Sequence, residues 1–261
     1  MSYKKLFLIM ATMTMIFVFS CKKEVNDVVI PVKHTVFAGM DVSRMVFYGD
    51  VPYNYTYDDD YRLVRIKEIR TEDHLVIRDI KFNYSDDHIY ITGTSEGYYV
   101  TDECTLDEQG RIIEMIHSST SNYTYKYTYD AEGHMATATQ ITDEGNLIST
   151  YLWENGELTS VHTGNGTGNG DRVLTFETSD APAQALFNRM KYNNEVSELC
   201  AQGCFGTLPA HMPSKRSLTL YLNGIAVNTI TTEYSYTVEN DHLATCQAGD
   251  NLTFNFYWED R

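Results

Sequence analysis

Cationic residues are scarce in this chain: Lys and Arg number 20 against 36 Asp and Glu, for a net charge of -16. That balance excludes electrostatic docking on nucleic acid or on anionic lipid headgroups, both of which select for clustered Lys and Arg. Proline is also rare, at five residues, and no Ser/Pro-rich linker divides the chain. Residues 35–261 therefore read as one substantial domain. Catalytic signatures are missing. No HExxH or Gly-x-Ser-x-Gly pattern occurs, and the eight histidines are scattered. The loop Gly164-Asn165-Gly166-Thr167-Gly168-Asn169-Gly170 lacks the Lys-Ser/Thr and following helix of a phosphate cradle, so it reads as a flexible connector. The acidic runs Asp58-Asp59-Asp60 and Asp86-Asp87 suit wet hairpin tips without calcium. The expectation is a non-enzyme with no cofactor and no metal. A hydrolase whose carboxylates hide among the acidic residues is the distant alternative.

What is present begins with a leader. Lys4 and Lys5 precede an apolar run from Leu6 to Phe19, shorter than the ~20 residues of a spanning helix. It ends in Val18-Phe19-Ser20-Cys21, which resembles a bacterial lipobox, with an aliphatic residue three before the cysteine and a small one directly before it. On this reading residues 1–20 are a signal peptide, 21–34 a lipidated tether, and Cys21 the attachment point to a membrane. Several acyl chains hold where one binds only marginally. Loss of Lys4 and Lys5 takes the charge from -16 to -18. The location expected is the outer membrane, on its periplasmic or cell-surface face. Glu24 and Asp27 close to Cys21 point towards the surface.

Four cysteines remain in the body: Cys104, Cys200, Cys204 and Cys246. Export places them where disulfides persist, and four allow three pairings. Cys200 and Cys204 are close enough to pair locally, leaving Cys104 for Cys246. A zinc or redox site is disfavoured, because only His211 is near and the Cys200/Cys204 gap is not that of redox dithiols.

The body repeats one turn pattern, an acidic or Asn residue, often Gly, then an aliphatic residue opening a new run. It recurs at Asp58–Leu63, Asp107–Ile112, Asp130–Met135, Asp143–Leu147, Glu154–Leu158 and Glu239–Leu243. Each is a hairpin signal. Between the tips lie stripes of period two: Tyr123, Tyr125, Tyr127 and Tyr129; Tyr53, Tyr55 and Tyr57; Tyr234, Tyr236 and Val238; Phe254, Phe256 and Trp258. Each stripe occupies one face of a strand. The fold class expected is all-β, an antiparallel meander curled into a barrel or strongly curved sheet. One short helix is expected at 181–193, with Asp180 as N-cap, Pro182 in the first turn and Leu186, Phe187 and Met190 at helical spacing.

The leader followed by repeated Tyr-x-Tyr-Asp-x-x-Gly-x-Leu hairpins resembles the Bacteroidales-type lipoproteins that carry a domain of unknown function (4595), described as porin-like in fold. The resemblance covers about residues 35–261 and implies a barrel-like β fold without transferring any functional residue. The same tips give a weaker resemblance to YD-repeat hairpin arrays of secreted toxins. A membrane-spanning strand needs ~9–11 residues with a lipid-facing apolar band. Here most runs are shorter, Arg65, Lys67 and Glu68 interrupt one of them, and the chain ends Glu259-Asp260-Arg261. A tethered barrel outside the bilayer is expected.

For function, the expectation is a ligand- or partner-binding module for a glycan or peptide, with Tyr123, Tyr125, Tyr127, Tyr129 and Trp153 as the candidate aromatic surface. A structural scaffold of the cell envelope is the alternative, since aromatic stripes equally make a β core.

Overall fold

Alternation in the sequence becomes alternation in burial. In Val76–Tyr84 the side chains of Arg78, Ile80 and Phe82 are buried while those between them are not, and Val100, Asp102 and Cys104 repeat the pattern in Tyr98–Leu106. A pleated strand sends successive side chains to opposite faces, so one face of each strand makes the core.

The computed structural model describes residues 40–47, 51–60, 62–70, 72–95, 97–167, 169–182, 199, 203–239, 242–250 and 252–260. They form sixteen strands. The first eight are β1 (Met40–Phe47), β2 (Val51–Tyr57), β3 (Leu63–Ile69), β4 (Val76–Tyr84), β5 (His88–Ser95), β6 (Tyr98–Leu106), β7 (Ile112–Ser118) and β8 (Asn122–Tyr129). There follow β9 (Met135–Thr142), β10 (Gly145–Glu154), β11 (Glu157–Gly164), β12 (Asn169–Pro182), β13 (His211–Leu222), β14 (Ile225–Glu239), β15 (His242–Ala248) and β16 (Leu252–Asp260). Each strand pairs antiparallel with its neighbours in the chain, the meander that the spacing of the tips predicts. β1 also pairs with β16, through Met40↔Asp260 to Val46↔Asn255, so the strand order closes on itself.

All six tips read from the sequence fall between two strands. At the β10–β11 turn Asn155 and Gly156 take φ of 53° and 79°, the left-handed pair of a two-residue hairpin. The same chemistry at Asn223-Gly224 joins β13 to β14 and is a seventh tip outside that pattern.

The expected helix at 181–193 meets a different structure at its start. Ala181 and Pro182 close β12, where Pro182 pairs with His211 after two register shifts, so pairing with β13 carries the backbone past the supposed N-cap Asp180. Residues 183–193 lie outside the described residues, as do the leader, Cys21, the tether and Cys200.

The core is the inner face of this sheet. Tyr55, Ile66, Ile80, Phe82, Ile91, Met115, Tyr127, Tyr234 and Phe256 are among its buried members. The outer face carries charge: Arg65 holds Asp79 by two bonds of 2.7 and 2.6 Å, and Lys126 meets Glu114 at 3.1 Å.

Because turns alternate between the ends of a meander, those after β2, β4, β6 and β8 share one end with the β12–β13 connection. β1 begins and β16 finishes at that same end, called the tether end after the tether expected from the sequence ahead of β1. The β3–β4, β5–β6 and β7–β8 turns share the other, called the far mouth.

Candidate functional site

Three strands bring ionisable groups to the inner face near the far mouth. Arg78 is the third residue of β4, Asp102 the fifth of β6 and His117 the sixth of β7; all three are buried. A continuous register row runs Phe82↔Ile91↔Asp102↔His117↔Tyr123 across β4 to β8. Along that row His117 Nδ1 lies 2.6 Å from Asp102 Oδ1, with the two side chains only 7% and 2% exposed. The imidazole stacks on Tyr123 with centroids 4.2 Å apart and planes within 15°. Arg78 stands two inward steps nearer the mouth, in register with Ser95, which pairs with Tyr98. Ionisable groups cost several kcal/mol each to bury, so such a set on an apolar face marks a candidate site.

Gly93 lies between Ile80 and Val100 in the intervening row. A side chain there would overlap the Asp79 carbonyl oxygen, so β4 and β5 approach closely only because residue 93 has none.

The tyrosine stripe expected as a recognition surface lies on the inner face of the sheet and packs there. Tyr125 and Tyr127 are buried, and Tyr123, Tyr129 and Trp153 pack against the core. The rings form a column from His117 through Tyr123, Tyr125 and Tyr127 to Phe205, with successive centroids 4.2, 5.4, 5.8 and 5.3 Å apart. The physical reason is parity: Tyr125 and Tyr127 occupy the register positions opposite Met115 and Ala138, both inward-facing. Trp153 spends its indole N–H on the Met135 carbonyl at 2.8 Å, and Tyr129 donates its hydroxyl to Ile112 O at 2.6 Å.

Those two bonds belong to a repeated device at the tether end. In the β2–β3 tip Asp58 Oδ1 accepts from the Asp60 and Arg62 amides, while Asp58 Oδ2 takes the Arg62 guanidinium at 2.8 Å. Asp107 does the same with Gln109 and Arg111 in the β6–β7 tip. Asp130 holds the His134 amide and ring in the β8–β9 tip. An aromatic from the following strand then covers each clamp. Tyr84 lies under Arg62, Tyr129 under Arg111 and Trp153 against His134, at 5.2, 4.3 and 4.5 Å. Each donates to the carbonyl of the residue just after the clamped Arg or His, at Leu63, Ile112 or Met135.

Asp130, Glu132 and His134 bring three potential metal-ligand atoms within 4.8 Å of one another. His134 occupies the place that Arg62 and Arg111 hold in the sister tips, so the turn clamp accounts for this cluster. Burial pushes the Asp130 carboxyl up, but the hydrogen bonds from His134 outweigh it and leave the group below its ordinary value.

Residues 203–210 cover the tether end. Leu199 and Phe205 are fully buried, Cys204 O accepts the Ile112 amide at 2.7 Å, and the Thr207 amide donates to Gly133 O at 2.8 Å. Gly206 has φ of 80°, and a side chain on it would meet Gly133 O and the Tyr129 ring.

The expected bridge between Cys104 and Cys246 does not form. Both are free thiols in the core, on β6 and β15, strands that are not paired with each other. Burial pushes Cys246 and Cys204 up to about 12 and Cys104 well above its ordinary value, so none supplies a thiolate near neutrality. The pairing proposed for Cys204 involves Cys200, outside the described residues.

Arg78, Asp102 and His117 escaped the reading of the sequence, though it carried a signal for each. Arg78 shares parity with Ile80 and Phe82, Asp102 with Val100 and Cys104, and His117 with Met115. A charge on the apolar parity of a strand is the mark to look for.

The fold and its tip clamps together define an antiparallel β meander with its apolar face turned inward. The chain belongs to the family of the domain of unknown function (DUF4595) with porin-like fold, matched over residues 70–245. It is similar in structure to a porin-like protein from Bacteroides uniformis, with TM-score 0.63 and 16% identity over 85% of this chain and 99% of that one. A porin-like protein from Bacteroides vulgatus gives TM-score 0.61 and 10% identity, over 83% of this chain and 97% of that one. At these identities the likeness concerns fold alone. Among curated proteins none matches the chain.

Proposed function

We propose that this chain is a lipid-tethered extracytoplasmic binding protein that recognises a glycan or short peptide at the far mouth of its barrel. The observation that carries the reading is the Asp102–His117 pair, buried on an apolar face together with Arg78. Together they put donors, acceptors and both signs of charge on the inner face at one end of the barrel, with Arg78 two inward steps from the pair. Leu75 and Tyr98, 52% and 58% exposed, supply an apolar and aromatic rim at the same end. His117 is held in one orientation, with Nδ1 on Asp102 and its ring face on Tyr123, which preorganises it for recognition.

In this reading the tether from Cys21 reaches β1 at the end covered by residues 203–210, and the far mouth points away from the membrane. The barrel itself stands outside the bilayer. Charged pairs such as Arg65 with Asp79 face outward and aromatics inward, the reverse of the outward apolar band that a spanning barrel presents.

The test is a glycan and peptide array probed with the full chain in detergent, beside an Arg78→Ala variant and an Asp102→Val/His117→Phe variant. Specific binding that both variants lose supports the reading. A blank array, or binding that both retain, transfers the function to an envelope scaffold, for which the packed column and interlocked tips are equally suited. In parallel, Cys21→Ala should release the chain from membranes; unchanged partitioning removes the lipid anchor from the proposal.

A further inference from the structure

The last hairpin of the sheet outruns its neighbour. β14 pairs with β13 from Ile225 to Glu233, but its pairing with β15 begins only at Tyr234, opposite Ala248. Residues 225–232 of β14 therefore have no strand on their other side among the described residues, since Glu233 O already accepts the Gly249 amide at 2.8 Å. All seven residues from Ile225 to Thr231 are exposed, Ile225 at 69%, Val227 at 58% and Ile230 at 51%. Such an edge presents unpaired amides and carbonyls and is a template for another strand.

Protein edges of this kind normally carry a lysine, a proline or an inward charge that discourages pairing. This one carries none: Leu222 to Thr232 (LNGIAVNTITT) contains no charged residue in a chain of net charge -16, and it is rich in Ile, Val and Thr. Its one flanking charge, Glu233, sits opposite Lys215 on β13.

We propose that this edge is the interface for a second copy of the chain, the two β14 strands pairing antiparallel across a two-fold axis near Thr229. An isologous interface needs a surface complementary to itself, and an antiparallel strand edge is one. A two-fold through Thr229 sets Val227 opposite Thr231, a β-branched pair that pleated strands favour, and Asn228 opposite Ile230. It also sets each Glu233 against Ile225 rather than against the other Glu233, so no like charges face each other at the seam. In a chain so acidic, an uncharged strip is where two copies can approach without repulsion.

Eight residues make a seam of roughly 27 Å, and a strip that long and roughly 10 Å wide covers only about 270 Å². That is well below the roughly 800 Å² per partner of a standard stable interface, so the association is weak and concentration-dependent. Confinement on a membrane surface raises the effective concentration of a tethered chain and makes a weak pairing count. This edge lies in the β13–β14 hairpin at the far-mouth end, and the inference rests on strand pairing rather than on Arg78, Asp102 and His117.

Sedimentation velocity on the full chain in detergent, from roughly 1 to 100 µM, tests it. The wild type should shift from monomer to dimer, and Val227→Lys/Thr229→Lys should weaken that association at least tenfold while leaving the circular dichroism spectrum unchanged. Thr229→Cys should form a disulfide-linked dimer on mild oxidation, whereas Thr253→Cys, exposed on β16, should not. A wild type that stays monomeric throughout, a dimer that survives the lysines, or equal cross-linking of the two cysteine variants overturns the proposal.

Discussion

Asp102→Ala is the most informative single change, because it removes one half of a buried hydrogen-bonded pair and strands the other. His117 would keep its place against Tyr123 with Nδ1 facing a void. Breaking a buried pair from one side costs roughly 3–5 kcal/mol, while replacing both partners by apolar groups of similar shape is often neutral. For a folded body of this size each kcal/mol moves the melting temperature by roughly 2–4 °C, so Asp102→Ala should melt roughly 6–20 °C lower. Asp102→Val combined with His117→Phe keeps an aromatic ring on Tyr123 and should recover most of that loss. The assay is a thermal melt followed by near-ultraviolet circular dichroism, which reports the tyrosine column directly. A loss below about 1 kcal/mol for the single variant would show a pair already screened by water, and the argument from burial would fail.

Three further outcomes follow from other parts of the molecule. Tyr84→Phe and Tyr129→Phe should each cost about 1 kcal/mol in urea unfolding, since each deletes one hydroxyl donated to a backbone carbonyl; clearly unequal losses would deny that the two clamps are one device. Gly206→Ala should destabilise more than Gly110→Ala, because both have φ near +80° but only Gly206 also has backbone and a ring where the methyl would go. The Asp79 carboxyl is held below its ordinary value first by its hydrogen bond to Arg65, so its contribution is present above about pH 4 and lost as pH falls through the depressed value. Asp79→Asn should therefore be less stable than wild type at pH 7, by under about 1 kcal/mol for so exposed a pair, and match it near pH 2.

The meander was legible because it is written locally. Asp107 to Ile112 contains its own turn, and the stripe from Tyr123 to Tyr129 fixes which side of its strand is buried. The site was less legible because it is assembled across strands. Asp102 and His117 are 15 positions apart and meet only through the register of β6 with β7. The tyrosine stripe was visible but ambiguous, since a ligand platform and a packed column share one period; the inner face of β8 decides between them. Cys104 and Cys246 misled for the converse reason. An even cysteine count carries no information on whether two strands are neighbours, and β6 and β15 are not.

The clamps at the tether end make the order of assembly directional. The Asp58–Arg62 tip is finished only when Tyr84 arrives on β4, the Asp107–Arg111 tip only when Tyr129 arrives on β8, and Tyr129 is itself the residue that leads into Asp130. Each hairpin is thus locked by the first strand of the next, as teeth of a zip close in sequence behind a slider. β1 is the exception, because its second neighbour is the last strand made. A chain emerging amino end first would carry an open β1 edge until β16 appears, and that interval is when a molecule of this design is most exposed to pairing with the wrong strand.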